Sequence, residues 1–176
     1  MTTAAVALTR CAELNRYSSS PDHLTRVYLS PEHRGANTAV DAWMRAAGLE
    51  PRIDAAGNIW GRRGEPGQKA LVLGSHLDTV PDAGSYDGML GVVMAIAVAE
   101  RLRDHDLPFA LEVVGFSDEE GTRFGKPCSG HRPPVASGTR SGGICVTNRE
   151  SRCGKPSSSS DSTPTASAKR PAAPTS

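Results

Sequence analysis

The sequence predicts an α/β domain, a layered sheet of mainly parallel or mixed strands with flanking helices. Three observations carry that prediction. Residues 70–76 (ALVLGSH) and 110–116 (ALEVVGF) are short apolar runs of the kind buried in a sheet interior. Between them, residues 88–104 (GMLGVVMAIAVAERLRD) are apolar almost all round before turning charged, as in a helix packed on its own sheet. Ahead of both lies a capped amphipathic helix. Helix and strand alternating at this spacing call for crossover connections rather than a sandwich or a bundle.

The first element is a helix of about four turns, because Ala5, Leu8, Ala12 and Leu14 recur at roughly helical spacing before the polar break SSSPDH. In the next, Ser30 stands before Pro31 and Glu32, an N-cap followed by proline at the first helical position. Ala39, Val40, Trp43, Met44 and Ala47 then form an apolar stripe that Gly48 closes. Two short strands follow, PRIDA and NIWGRR, joined at the turn signal Ala56-Gly57-Asn58. The two apolar strands and their intervening helix complete the ordered part. After Gly125 neither period continues, and the chain ends in low-complexity Ser, Pro, Ala and Thr.

Composition divides the chain at the same place. Residues 1–125 hold 12 Lys and Arg against 17 Asp and Glu, while residues 126–176 hold 8 against 2, so a near-neutral total conceals an acidic body and a basic tail. Every Phe, Trp and Tyr lies at or before Phe124, which leaves the tail no aromatic group to anchor a core. The reading is therefore one catalytic-type domain over 1–125 and a disordered tail over 126–176. Cys128, Cys145 and Cys153 fall in that tail without CxxC spacing or a neighbouring His pair, and Cys11 reads as a small buried apolar residue. The N-terminus lacks a basic start with a long apolar core, and no run approaches a membrane span, so the expectation is a cytoplasmic protein with no membrane partner.

Three clusters lie at the ends of predicted elements, where open α/β sheets place their ligand sites. In GSHLDTV, His76 and Asp78 are two apart and face one side of an extended segment. The Asp78 carboxylate is expected to take a hydrogen bond from one imidazole nitrogen, leaving the other free for a metal. A strand-end His held by a turn Asp explains the pair equally well. In SYDGMLG, Asp87 precedes the buried helix and has a complete structural explanation as its N-cap. In FSDEEG, three acids follow a buried strand, so that Glu120 is placed to bind a metal while Glu119 takes a proton; a solvated turn is the alternative. Taken together, one His and two carboxylates suit zinc or manganese, and a free Glu beside them is the recipe for metal-assisted hydrolysis.

GSHLDTVPDAGSYDGMLGV followed by VVGFSDEEGTRFG resembles the dinuclear-metal amidohydrolases of the hydantoinase/carbamoylase type, which share the M20 peptidase superfamily fold. The resemblance runs from about residue 10 to residue 125 and includes YLSPEHRGANTAVDAWMRAAGLEPRIDAAGNIWGRR, similar to allantoate amidohydrolases in particular. It implies an M20-type catalytic domain, here incomplete, with two divalent ions (Zn2+ or Mn2+). His76 would bind one metal, Asp87 bridge both and Glu120 bind the other, with Glu119 as general base and Asp78 orienting His76. The eleven-residue step from His76 to Asp87 is shorter than in the peptidase branch, which favours a ureido or carbamoyl C–N bond over a peptide bond. The implied partner is a small ureido or carbamoyl substrate. The family is homodimeric through an inserted domain that has no counterpart here.

The same resemblance implies two later histidines, and the one later His, His131, sits in surroundings that match nothing in the family. Its pattern breaks after Arg-Phe-Gly. Pro127-Cys-Ser-Gly has codons of the form CCN TGY TCN GGN, and one G added in front would allow Ala-Leu-Leu-Gly, a continuation of the expected kind. The hypothesis is a frameshift at codon 127 that truncates the family pattern; reading the downstream bases in the other frames tests it. The expectation that follows is weak metal affinity and little turnover. Allantoate is the leading substrate, an N-carbamoyl-L-amino acid the alternative. In a different class stands a non-catalytic fragment whose basic tail binds a partner, although without interleaved aromatics nucleic acid is not expected.

Overall fold

The computed structural model describes residues 3–125 and 145–147. In chain order the elements are α1 (Thr3–Leu14), α2 (Pro31–Ala46), β1 (Glu50–Ile53), β2 (Ile59–Arg63), β3 (Ala70–His76), α3 (Met89–Arg101), β4 (Ala110–Phe116) and β5 (Cys145–Thr147). All but β5 were expected. That three-residue strand lies inside the stretch read as a disordered tail and pairs antiparallel with β3, Ala70 opposite Thr147. Backbone pairing along an open strand edge needs no side-chain period, so periodicity gave no sign of it. The rest of the expected tail, with Cys128, His131 and Cys153, lies outside the described residues.

The sheet order is β1-β2-β4-β3-β5. Only β3 and β4 run parallel, joined through α3, and the other three pairings are antiparallel. The sheet is thus mixed rather than mainly parallel. A tight turn between β1 and β2 forces them antiparallel. Asp54 builds that turn: its carboxylate accepts from the backbone N–H groups of Ala56 and Asn58, from Asn58 Nδ2 and from Trp60 Nε1.

The three helices share one core on one face of the sheet. Leu111 and Val113 of β4 enter it with Leu71 and Leu73 of β3, their parallel partners, and meet Val92, Val93 and Ile96 of α3. On the alternate positions Arg62 pairs with Glu112 at 2.6 Å and Trp60 packs edge-on to Phe116. Helix α2 starts as its sequence dictates, with Ser30 Oγ accepting from His33 N and proline in the first turn. Its buried residues include Ala39, Val40 and Met44. In α1 the buried line is Ala7, Cys11 and Leu14, whereas Leu8, expected inside, is 52 % exposed. An alanine-rich helix offers several nearly equivalent apolar faces, and packing against α3 selects among them. Burial raises the Cys11 thiol pKa, in keeping with an inert apolar role.

Candidate metal centre

Register brings the site together. β3 and β4 end side by side, His76 opposite Phe116, and the N–H of Leu77 continues the ladder to the carbonyl of Phe116 at 3.0 Å. His76 is the last residue of β3, and the loops that leave the two strand ends carry Asp78 and the Glu119-Glu120 pair. Asp87 enters from the start of α3.

His76 Nδ1 lies 2.9 Å from the backbone carbonyl of Asp78. A carbonyl oxygen only accepts, so Nδ1 carries the proton and the Nε2 lone pair is free. The Asp78 carboxylate is farther away, 3.8 Å from Nδ1. Its two oxygens instead accept from the backbone N–H groups of Glu119 and Glu120, each at 3.1 Å. Asp78 therefore orients the imidazole through its main chain and the acidic loop through its side chain, which corrects the expected carboxylate–imidazole hydrogen bond. The Asp78 carboxylate is held instead by the two amides of the acidic loop, which leaves the Asp78 carbonyl as the imidazole's partner.

Asp87 is not the helix cap. Gly88 occupies that position, and α3 has no side-chain cap hydrogen bond. The N–H of Met89 reaches back to the carbonyl of Asp87 at 2.6 Å, and Gly88 between them has φ 63° and ψ −54°, a γ-turn of the rare positive-φ kind. A Cβ at Gly88 would stand 2.5 Å from the His76 ring. The Asp-Gly pair thus packs the imidazole against bare backbone and turns the Asp87 carboxylate toward it, Oδ1 lying 3.8 Å from Nε2.

Donor atoms of His76, Glu119 and Glu120 all lie within 4.8 Å of one another. The expected trio of His76, Asp87 and Glu120 is therefore met only when Asp87 is added through its 3.8 Å approach to Nε2. Burial raises the Glu120 carboxyl pKa, the negative charges of Asp87, Glu119 and Asp78 raise it further, and His76 opposes them. Asp118 is raised by burial and by Asp78, against Arg123, and its Oδ1 is buried without a hydrogen-bond partner. Carboxylates crowded around one imidazole are a donor set that a hard or borderline cation would relieve, so the residues present fit a divalent metal.

Several supports escaped the sequence reading. Asn58 Oδ1 accepts from both the backbone N–H and the hydroxyl of Ser117, which anchors the end of β4 just before the acids. Asp118 sits at φ 57°, reversing the chain so that the next two N–H groups converge on Asp78. Arg123 donates to the carbonyl of Tyr28 at 2.6 Å and closes the loop. In the sequence Asn58 belongs to a turn signal, and nothing local marks its partner Ser117 far along the chain.

A profile of Peptidase family M28 matches residues 58–130, which span β2, β3, α3 and β4. Among curated proteins, the allantoate deiminase of Arabidopsis thaliana is 43% identical over 125 residues, covering 67% of this chain and 24% of that protein. The N-carbamoyl-L-amino acid amidohydrolase of Geobacillus stearothermophilus is 37% identical over 138 residues, covering 72% of this chain and 34% of that protein. A solved hydantoinase/carbamoylase family amidase from Burkholderia ambifaria superposes with a TM-score of 0.63 at 30% identity, covering 70% of this chain and 31% of that one. The chain is related to the hydantoinase/carbamoylase-type amidohydrolases. It spans about a quarter to a third of the length of these relatives. The residues matched by the M28 profile include His76, Asp78, Glu119 and Glu120. Among the described residues no helix is long and apolar enough to cross a membrane.

Proposed function

We propose that residues 1–125 are the N-terminal part of a metal-dependent amidohydrolase that cleaves a ureido or carbamoyl C–N bond, with allantoate as substrate. The observation that carries this reading is His76 at the end of a parallel strand pair, its Nε2 facing Asp87 and its ring sharing with the Glu119 and Glu120 carboxylates a group of donor atoms all within 4.8 Å. His76, Asp87 and Glu120 would hold the metal ions, and bound metal would supply Lewis acidity and a nucleophile at neutral pH. Glu119 lies within the same 4.8 Å group and has the reach to accept a proton and return it to the departing nitrogen. Asp78 holds both the imidazole and the two Glu amides, so it fixes where the donor and the proton acceptor stand relative to each other.

The described donors are one imidazole and three carboxylates, too few neutral nitrogen ligands for two tightly held ions. The 176-residue chain is therefore proposed to bind divalent metal weakly and to turn substrate over slowly or not at all. The test joins residues 1–125 to the corresponding remainder of an allantoate deiminase and measures ammonia release from allantoate and from N-carbamoyl amino acids. Metal-dependent release from allantoate, lost in Glu119→Gln, is expected. Release only from N-carbamoyl amino acids would favour that alternative, the reading to which the Geobacillus relative points. Two tightly retained ions and turnover by the 176-residue chain alone would overturn the proposed weakness.

A further inference from the structure

Arg26 is the most conspicuous side chain that the proposed chemistry leaves unused. It is fully buried, in a segment that belongs to no helix or strand. Its guanidinium spans two parts of the fold. Nη1 donates to the carbonyls of Leu14 and Tyr17 at 2.8 and 3.0 Å, capping the C-terminal end of α1. Nε donates to the carbonyl of Leu77 at 2.7 Å. Among the described residues no carboxylate lies within ion-pair distance of it, and Nη2 has no hydrogen-bond partner. A buried cation left in that condition is expensive for a mere helix cap, which an uncharged donor would serve.

The reach to Leu77 accounts for it. Leu77 separates His76 from Asp78, and its peptide groups are held on both sides: N–H to Phe116, carbonyl from Arg26. The main chain of Arg26 adds two more ties to the same loop, its N–H to Thr79 Oγ1 at 2.8 Å and its carbonyl from the N–H of Thr79 at 2.9 Å. Just before it, Leu24 bridges Ala83 and Thr25 Oγ1 accepts from the N–H of Asp82. Residues 24–26 thus run as a strap along the loop that leaves β3, with the guanidinium as its clamp. Burial lowers the Arg26 pKa to about 10, and the Asp78 charge opposes that shift by favouring the cationic form.

We propose that Arg26 is a positioning residue of the metal centre. By locking the Leu77 peptide it fixes the segment in which His76 Nδ1 meets the Asp78 carbonyl while the Asp78 carboxylate meets the Glu119 and Glu120 amides. The inference rests on the reading of His76, Asp87 and Glu120 as metal donors, and its test separates the two. Lysine keeps the charge but not the planar fork that serves α1 and Leu77 at once.

In the 176-residue chain, Arg26→Lys is compared with Met44→Ala, a core substitution in α2 that loosens packing without touching the strap. Two quantities are read: cobalt(II) affinity by competition with a chromophoric chelator, and hydrogen exchange at the Glu119 and Glu120 amides. Arg26→Lys is expected to weaken cobalt binding by about 10–100-fold, as loss of a group supporting a metal ligand does, and to speed exchange at both amides. Met44→Ala, at a similar loss of Tm, is expected to leave both near wild type. Equal effects of the two substitutions would reduce Arg26 to a core cap and overturn the proposal. If the wild-type chain takes up no cobalt, the donor reading fails, and amide exchange alone decides the role of Arg26. Should Arg26→Lys not fold, Thr79→Val removes only the Oγ1 tie and is judged by the same criteria.

Discussion

At the scale of single residues, the site depends on groups whose chemistry is set by what surrounds them. Gly88 owes its place to two independent demands, a positive φ and a ring against its α-carbon. His33 shows the reverse case, a titratable group kept out of the chemistry. It is 2 % exposed, its Nε2 has no partner, and burial lowers its pKa to about 4, with Asp78 opposing and Arg26 adding to the shift. The ordinary imidazole value lies near 6.5, so between about pH 6.5 and 4 the unfolded chain takes up a proton that the folded chain refuses. The contribution is therefore complete above about pH 6.5 and is lost as pH falls, at up to about 1.4 kcal/mol per pH unit. Asp118 and Glu120, with raised folded values, pull the other way over their own range. Urea unfolding in the presence of chelator is expected to give a lower midpoint at pH 5 than at pH 7.5, and His33→Gln is expected to flatten that slope. A slope unchanged by the substitution would show that His33 is protonated in the folded chain.

At the scale of elements, the β1–β2 hairpin does more than extend the sheet. Asp54 collects four donors in its turn, and Asn58, held by two of them, passes the constraint to Ser117. Burial opposes ionisation of Asp54, but the hydrogen bonds from Asn58, Trp60 and Ala56 outweigh it and lower the pKa. Its stabilisation is thus present above the ordinary carboxyl range and fades as pH falls below it. Asp54→Ala is expected to cost about 2–3 kcal/mol in chemical denaturation, since it strands several donors at once, and to weaken metal binding through Ser117; Asp54→Asn should recover part of both. A stability loss with no change in metal affinity would mean that the hairpin does not brace the acidic loop. These elements were legible to different depths. The Ser30-Pro31 start of α2 and the turn at Gly57 are local signals, so the sequence carries them complete. The buried face of α1 depends on which neighbour it meets, and the Asp87 cap reading failed because Gly88 adopts a conformation that residue identity permits without announcing. Arg26 stands in a loop, where an arginine usually faces water, and only the folded chain reveals its three carbonyl partners.

At the scale of the whole molecule, the fold gathers negative charge onto one rim of the described residues and sets the His76 imidazole against it. The Asp-Glu-Glu and His-x-Asp patterns made this rim readable in advance, because chemistry of that kind needs those residue types whatever the packing. Their convergence was not readable, since it depends on the β3–β4 register, on the Gly88 γ-turn and on the Asp78 amide contacts together. The same convergence couples the site to global stability. Apart from a metal, the carboxylates of Asp87, Glu119 and Glu120 repel one another, and a cation bound only by the folded state removes that repulsion and adds its own binding free energy. At a free metal concentration 100 times Kd the gain is about 2.7 kcal/mol, which for a chain of this size raises Tm by roughly 5–10 °C. Manganese or zinc is therefore expected to raise Tm in a concentration-dependent way, even where affinity is too weak for turnover. His76→Ala and Glu120→Gln should remove the shift by deleting donors. Gly88→Ala should remove it with every donor intact, because its Cβ drives the imidazole out of place. A thermal shift that survives Gly88→Ala would place the cation elsewhere on the acidic rim, and the convergence at His76 would then carry no metal.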